Sequence, residues 1–531
     1  MKQKTIADRW ATLDGARQPI LRRAEWCAAI AGMPWVLPPP GQQDTADLPE
    51  ANCSIAAYGT TSVVGKLTAT TFPPGRCFFT LDLPPKLKYG GTPEDYQRRR
   101  QQLYIVELMA MEQLETAHLA SDKTGYPRSF RSQQRTSIEQ VVITGDTLEM
   151  LLPNYQIRVF RRDQYVTWRD SAGSIQGHII KECINPFSLT EDQFKKAGLD
   201  EKKKELEKAD KPEVDSYTIV ERIPFKEGWT WKQEINGKVY NDGKWNKTRI
   251  VATAHNLSPG ENYGRGLIEM YRGDLASYNE LCARTLEFAS AASKITPVVD
   301  DSSQINLEDL TKPSGQPMYG RVQGGVIQDI ALFKTDKLGD FQVVNATMER
   351  LRSDLGKAFM LDSAAAPQGE AGRHSYGWRV TGEELQGQIG GLLSAIGDEK
   401  QLPLAAAVLE QMIEDDIIPK ELVKFAKVTM TTGQAAIINK QKLGAILEAT
   451  QIFQQYAQFN PNILRRIDEK VFAAIVVRTE GIDEPGLIKS DEVLAREDQA
   501  AQAAQIQQAA AEQAIKSGGA IAEANAAPQA A

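Results

Sequence analysis

The sequence predicts a mainly α-helical chain with β-rich insertions, an α+β protein, on three observations. Apolar residues recur at three- and four-residue steps over long stretches near both ends. Between positions 139 and 256 they change to short β-branched and aromatic runs broken by Gly and Asp. The composition, 42% hydrophobic and 25% charged, is that of an ordinary globular protein and excludes a disordered, collagenous or disulfide-framed chain.

Its 531 residues are enough for two to four domains. Positions 1–138 read as helical, with Pro-rich breaks at Met33–Pro40 and Phe72–Pro85. In Gln97–Leu119 the residues Leu103, Val106, Met109, Ala110, Leu114, Ala117 and His118 form one apolar stripe. Positions 139–256 read as β-rich. Val141, Ile143, Leu148, Ile157, Val159, Tyr165, Val166, Trp168 and Ile179 fall in short runs, and a second set spans Tyr217–Val251 with turns at Gly237 and Gly243. Between them Asp200–Lys211 carries five acidic and five basic residues, the pattern of a solvated helix face.

A single helix is then predicted from Gly266 to Ser293, about 42 Å long at ~1.5 Å per residue, with Pro297 limiting its far end. Leu267, Tyr271, Leu275, Tyr278, Cys282 and Phe288 share one stripe, while Arg272, Asp274, Glu280 and Glu287 fall mostly elsewhere. Such a helix is a strut with a packing face. A Gly/Pro-rich, strand-like segment (295–338), a second helix (339–362) and a small-residue loop (363–385) holding Arg373, His374 and Arg379 follow. Helical periodicity resumes over 386–495. The tail, 496–531, has fifteen Ala and six Gln in its last thirty-two residues, too few large apolar side chains for a core of its own.

Chemical motifs fail in turn. Gly59–Leu67, GTTSVVGKL, has one residue too many between its glycines for a phosphate-binding loop and Leu67 where magnesium needs a hydroxyl. GRGLIE at Gly264 has Glu269 where a dinucleotide fingerprint has its third glycine. His118, His178, His255 and His374 are scattered with no metal-binding spacing, and there is no GxSxG elbow. The expectation is therefore a protein that is not an enzyme, with no metal and no cofactor. Cys27, Cys53, Cys77, Cys183 and Cys282 are odd in number and far apart, which fits a reducing compartment. No leader and no ~18-residue apolar span is evident. The net charge of −7 argues against a protein that grips nucleic acid through phosphate neutralisation, though not against one past which DNA slides.

Several segments, in order, resemble the portal, or head-to-tail connector, proteins of short-tailed, podovirus-type bacteriophages. They are YGTTSVVGKLTATTFPPGRCFFTL (Tyr58–Leu81), IRVFRRDQYVTWRDSAGSIQGHIIKECI (Ile157–Ile184), ENYGRGLIEMYRGDLASYNEL (Glu261–Leu281) through SKITPVV, LRSDLGKAFMLDSAA (Leu351–Ala365), WRVTGEELQ (Trp378–Gln386) and QLPLAAAVLEQM (Gln401–Met412). The Tyr-Gly-Arg turn leading into the long helix is the most specific of them. One departure is a longer loop between Leu361 and Arg379 that includes PQGEAGRHSYG.

The resemblance implies a fold of wing (1–265), stem helix (266–294), clip (295–338), second stem helix (339–362), channel loop (363–385) and wing and crown helices (386–495), assembled as a ring. It implies a homododecamer at one capsid vertex that passes double-stranded viral DNA during packaging and ejection, with the stem stripe packing subunits together and Arg379, Arg373 and His374 as DNA-channel candidates. The implied partners are the packaging terminase, the major capsid and scaffolding proteins, and the tail adaptor and core, or internal virion, proteins. No membrane is implied. The setting would be the virion's head-tail junction, after synthesis in the host bacterial cytoplasm. Rival readings are a tail adaptor, a long-tailed phage's portal and a packaging ATPase, the last needing a P-loop and an acidic strand that the sequence lacks.

Overall fold

A computed structural model of the chain describes residues 5–40, 51–84, 93–119, 128–293, 297–299, 322–323, 326–327, 330–332, 338–361 and 390–433, with scattered positions between 446 and 476. The chain divides into two compact units. One comprises Met1–Pro84 with Val106–Ile437 and the other Pro85–Ile105 with Ile438–Ala531. The second is described only over the first part of one helix and those scattered positions.

In the first unit, α1 (Ile6–Ile30) begins at a capping box in which Thr5 and Asp8 satisfy each other's backbone N–H groups. The buried Glu234 carboxylate accepts from the Ile6 and Ala7 amides at 3.0 and 3.3 Å, placing an anion on the positive end of the helix. Helix α2 (Ile55–Thr71) leads to the short strand β1 (Phe79–Asp82). Helix α3 (Pro93–Thr116) crosses from the second unit into the first. Helix α4 (Phe130–Thr144) is capped by Ser129 and stopped by Gly145 in the left-handed region, φ 91°.

Val141 and Ile143, expected in a strand, are therefore the last turn of a helix. Val141, Val142 and Ile143 are all buried, so this end of α4 is enclosed on every side and has no amphipathic period to read.

Strands β2 (Asp146–Leu151), β3 (Ile157–Phe160), β4 (Tyr165–Arg169), β5 (Ile175–Ile184), β6 (Val214–Arg222), β7 (Trp229–Ile235), β8 (Lys238–Trp245) and β9 (Ile250–Ala254) build two antiparallel sheets. Their orders are β3-β2-β9 and β4-β5-β6-β7-β8. Tyr165, Ile180 and Val220 on one face of the larger sheet pack with Leu148, Phe160, Ile250 and Ala252 of the smaller. Val166, Ile179 and Ile219, one residue along on the opposite face, pack with Ile6 and Trp10 of α1. Between β5 and β6, α5 (Glu191–Lys196) sets Phe194 against Ile235 and Tyr240. The charged run that follows is one 3-10 turn and the short α6 (Lys203–Leu206), solvated but not one continuous helix.

The helix expected from Gly266 to Ser293 is two pieces, α7 (Leu267–Met270) and α8 (Arg272–Ser293), parted at Tyr271, whose φ of −100° and ψ of 21° lie outside helical values. Next come β10 (Pro297–Val299), β11 (Val322–Gln323), β12 (Val326–Ile327) and β13 (Ile330–Leu332), with β10 paired to β13 and β11 to β12. Helix α9 (Leu338–Ala358) starts a little earlier and ends a little sooner than the sequence suggested. Tyr271 meets Phe359 with ring centroids 5.7 Å apart, and Thr285 lies 3.3 Å from the Met348 sulfur. The contact positions thus run in opposite directions along the chain, and α8 and α9 are antiparallel. A π-helical turn at Gly397–Gln401 runs into α10 (Leu402–Glu414). The short α11 (Lys420–Val423) and β14 (Lys427–Met430), paired with β1, complete the described fold. No helix among the described residues is long and apolar enough to cross a membrane.

Candidate functional site: the hub at the base of the long helix

The Tyr-Gly-Arg turn is locked by glycines that no other residue can replace without moving backbone. A Cβ on Gly264 would stand 2.2 Å from the His255 carbonyl oxygen, and one on Gly266 would stand 2.3 Å from the Ile143 oxygen. Gly145, across the turn, would place its Cβ 2.6 Å from the backbone of Arg265 and Gly266. The approach lets hydrogen bonds close in both directions. Arg265 N–H donates to His255 O at 2.7 Å, and His255 N–H to Gly145 O at 2.9 Å.

Charge is buried directly behind this turn. Asp146, the first residue of β2, accepts from the Gly264 amide at 2.8 Å and pairs with the Arg162 guanidinium. Arg162 is 2% exposed, donates to Thr144 O at 2.7 Å and lies over the Tyr263 ring at 5.0 Å. Burial pushes its guanidinium down from the ordinary value, opposed by the nearby Tyr165 and Tyr263. The Tyr263 hydroxyl accepts from Thr167 N–H at 3.1 Å. From α1, Arg17 donates to the carbonyls of Arg162, Asp163 and Tyr165 and pairs with Asp14. Five segments distant in sequence are thereby fastened around the root of α7 and α8.

A second buried pair sits under the smaller sheet. The π-helical turn carries one residue more than an α-turn, and Lys400 and Gln401 both face inward. Lys400 donates to Ser137 Oγ at 2.5 Å and pairs with the Glu149 carboxylate, with both ends essentially inaccessible to solvent. Burial pushes the Lys400 ammonium down while Glu149 draws it up. Gln401 donates to Thr71 O at 2.6 Å, and neighbouring Glu399 accepts from Ala254 N–H at 2.7 Å.

The failed phosphate-loop segment has a structural role. Gly59 allows the buried Phe359 ring to lie where a Cβ would be, 2.7 Å from its Cγ. Lys66 Nζ donates to the Met360 carbonyl at 2.6 Å. Gly and Lys of GTTSVVGKL thus seat the end of α9.

The stem residues singled out by sequence fall along the inner side of α7 and α8. Leu267 and Leu275 are buried in the chain's own core, and Tyr271, Tyr278, Cys282 and Phe288 are half-buried. The apolar side chains left in solvent are others: Met270, Leu286 and Val343. On the outer side Arg284 bridges Glu280 and Glu287 at 2.9 and 3.0 Å. Arg373, His374 and Arg379 lie outside the described residues. Sequence reasoning missed Asp146, Arg162, Glu149 and Lys400. The one signal available was an acidic residue at each of two positions in the short β2, DTLEML.

Among the described residues no cluster of His, Cys, Asp or Glu could hold a metal ion. The residues assembled here fasten segments distant in sequence around the root of α7 and α8. The chain belongs to the family of bacteriophage head to tail connecting proteins, whose model matches residues 3–488. It is 26% identical to the portal protein of Escherichia phage T7 over 88% of this chain and 86% of the relative. The identity is also 26% to the portal proteins of Enterobacteria phage T3 and Pseudomonas phage phiKMV, which cover 90% and 86% of this chain and are themselves covered over 87% of their length.

Proposed function

We propose that this chain is a portal subunit: copies close into a ring, a homododecamer, at one capsid vertex, and double-stranded viral DNA passes through its axial channel during packaging and ejection. The family membership and the near full-length similarity to portal proteins carry this reading. The long, largely solvated α8 and α9 rooted in a buried hub fit it physically, since a closed ring needs each subunit to offer neighbours two different faces. Leu286 and Val343, exposed on that helix pair, are the apolar side chains we assign to such faces, with the stripe of Tyr271, Tyr278, Cys282 and Phe288 holding the pair in register. An acidic subunit attracts phosphate weakly, which suits a conduit in which DNA must slide.

In this reading the chain is a virion protein of the head-tail junction, made in the host cytoplasm. It performs no catalysis and uses no cofactor. It meets terminase during packaging, capsid and scaffolding proteins during assembly, and tail adaptor and internal virion proteins afterwards. Positions 1–265 form the wing, 266–294 and 339–362 the stem, 295–338 the clip, 363–385 the channel loop, 386–495 the wing and crown helices, and 496–531 a dispensable tail. Arg379, with Arg373 and His374, faces the channel and contacts phosphates without base specificity.

Negative-stain imaging of the purified protein tests the ring, with particles bearing an axial hole expected. Monomers alone at micromolar concentration, or ATP hydrolysis that copurifies with the chain, would overturn it. Arg379→Ala is expected to leave ring assembly intact while lowering DNA packaging or retention when it complements a portal-deficient phage. Normal yield and heat stability of filled heads would remove Arg379 from the channel.

A further inference from the structure

We propose that Cys53 and Cys282 are a disulfide-forming pair that, on meeting a low-molecular-weight disulfide, ties the segment ahead of α2 to the middle of α8. All five cysteines are free thiols. The segment ahead of α2 is already held along α8: Asn52 N–H donates to Asn279 Oδ1 at 2.7 Å, and the Cys53 thiol lies 3.7 Å from the same oxygen. Cys282 stands three positions beyond Asn279, which on a helix brings it to the same side one turn further on. It is the one cysteine of α8, and after burial its thiol is what pushes the Cys53 thiol and the Tyr278 hydroxyl up.

Cys53 is reachable. Cys53 and Tyr278 line an open cavity of roughly 590 Å³ whose charged groups are Glu349 and Arg352 of α9. The other cysteines are placed differently: Cys27 is buried in α1, Cys77 lies against the Glu107 carbonyl, and Cys183 is exposed beside Asp215.

The chemistry is thiol–disulfide exchange with oxidised glutathione as the oxidant. One protein thiolate attacks the glutathione disulfide, forming a mixed disulfide and releasing one glutathione thiolate. The second protein thiolate then attacks the protein sulfur of that mixed disulfide and releases the other. Two protein thiols are oxidised, one glutathione disulfide is reduced to two thiols, and the two protons pass from the protein to the glutathione thiolates. Burial, with the neighbouring Cys282, pushes the Cys53 thiol up to about 11, so thiolate is scarce at neutral pH. The exchange is therefore slow at neutral pH and quickens as pH rises. None of this depends on the portal reading.

The test uses the full chain carrying Cys183→Ser, which removes the exposed thiol, incubated with oxidised glutathione between about pH 7 and 9. The expected product has lost two hydrogen atoms, yields a cross-linked Cys53–Cys282 peptide on digestion and migrates faster on a non-reducing gel. Its rate of formation rises about tenfold per pH unit below the thiol's titration. Dithiothreitol reverses the link, and either Cys53→Ala or Cys282→Ala abolishes it while leaving the far-ultraviolet circular dichroism unchanged. Stable glutathione adducts without a cross-link, a link through Cys27 or Cys77, a link between two chains, or a link that forms only in denaturant would overturn the proposal.

Discussion

Arg162 in the hub and Arg284 on α8 are the same side chain in opposite surroundings. Arg162 is 2% exposed, faces one carboxylate and touches an aromatic ring. Arg284 is 66% exposed and shares two carboxylates with the solvent. A charge enclosed as Arg162 is has one acceptable position, so it fixes geometry, and losing its partner is severe. The solvated charge on α8 tolerates many positions and fixes little. The hub thus holds one arrangement. The outer face of α8 keeps its charges in solvent.

The sharpest way to break this contrast is to delete a hub charge. Arg162→Ala leaves Asp146 buried with only the Gly264 amide and the backbone around it, and a loss of about 3–5 kcal/mol in urea unfolding is expected. The double replacement Arg162→Met with Asp146→Leu should recover much of it. A loss under about 1 kcal/mol for the single change would mean that water reaches the hub.

Within α8 itself the contrast should reappear between two neighbouring turns. Leu275→Asp puts a carboxylate into a position 2% exposed and is expected to cost about 3 kcal/mol, whereas Glu280→Ala should stay within about 0.5 kcal/mol. Equal unfolding midpoints for the two would show that the stripe does not face the core.

The third measure is pH. His178, buried and bonded to Thr167 Oγ1 at 2.9 Å, is pushed by burial from its ordinary 6.5 down to about 3, with Arg169 adding. The unfolded chain takes up a proton below about 6.5 that the folded chain refuses until about 3. Stability is therefore fully present above pH 6.5 and falls as pH drops through this window, by up to about 1.4 kcal/mol per pH unit. His178→Gln should flatten that part of the profile. An unchanged slope would show that carboxylates elsewhere carry it.

Arg284→Ala marks the small end of the scale, with a change of about 0.5 kcal/mol or less that shrinks further as salt is raised.

Much of the fold was legible because its helices and sheets bury one face each. The apolar stripe of α8 and the alternation of Tyr165 with Val166 and Ile179 with Ile180 are periods that follow from one-sided burial. The end of α4 was misread because Val141, Val142 and Ile143 are buried all round and leave no period. The break at Tyr271 has no Pro to announce it, only Gly273 two positions on. The hub was partly legible: its glycines stand in the Tyr-Gly-Arg turn that carries the family resemblance. Its charges were not, since Glu149 and Lys400 are 251 positions apart and nothing local in either segment names the other. The failed phosphate loop shows the reverse case, in which a recognisable pattern of Gly and Lys serves packing against Phe359 and Met360.

The antiparallel run of α8 and α9 has a mechanical consequence. Both helices meet the body at the same place, where Tyr271 and Phe359 touch at 5.7 Å and Gly59 receives the ring. A helix of 22 residues reaches about 33 Å from that point. The pair is rooted there and steadied along its side where Asn52 bonds Asn279, and a turn of about 5° at Tyr271 would swing its far end by about 3 Å. Force applied at the tip arrives at this base as torque, and exchanging Phe359 for a smaller side chain would soften the arm without touching its length.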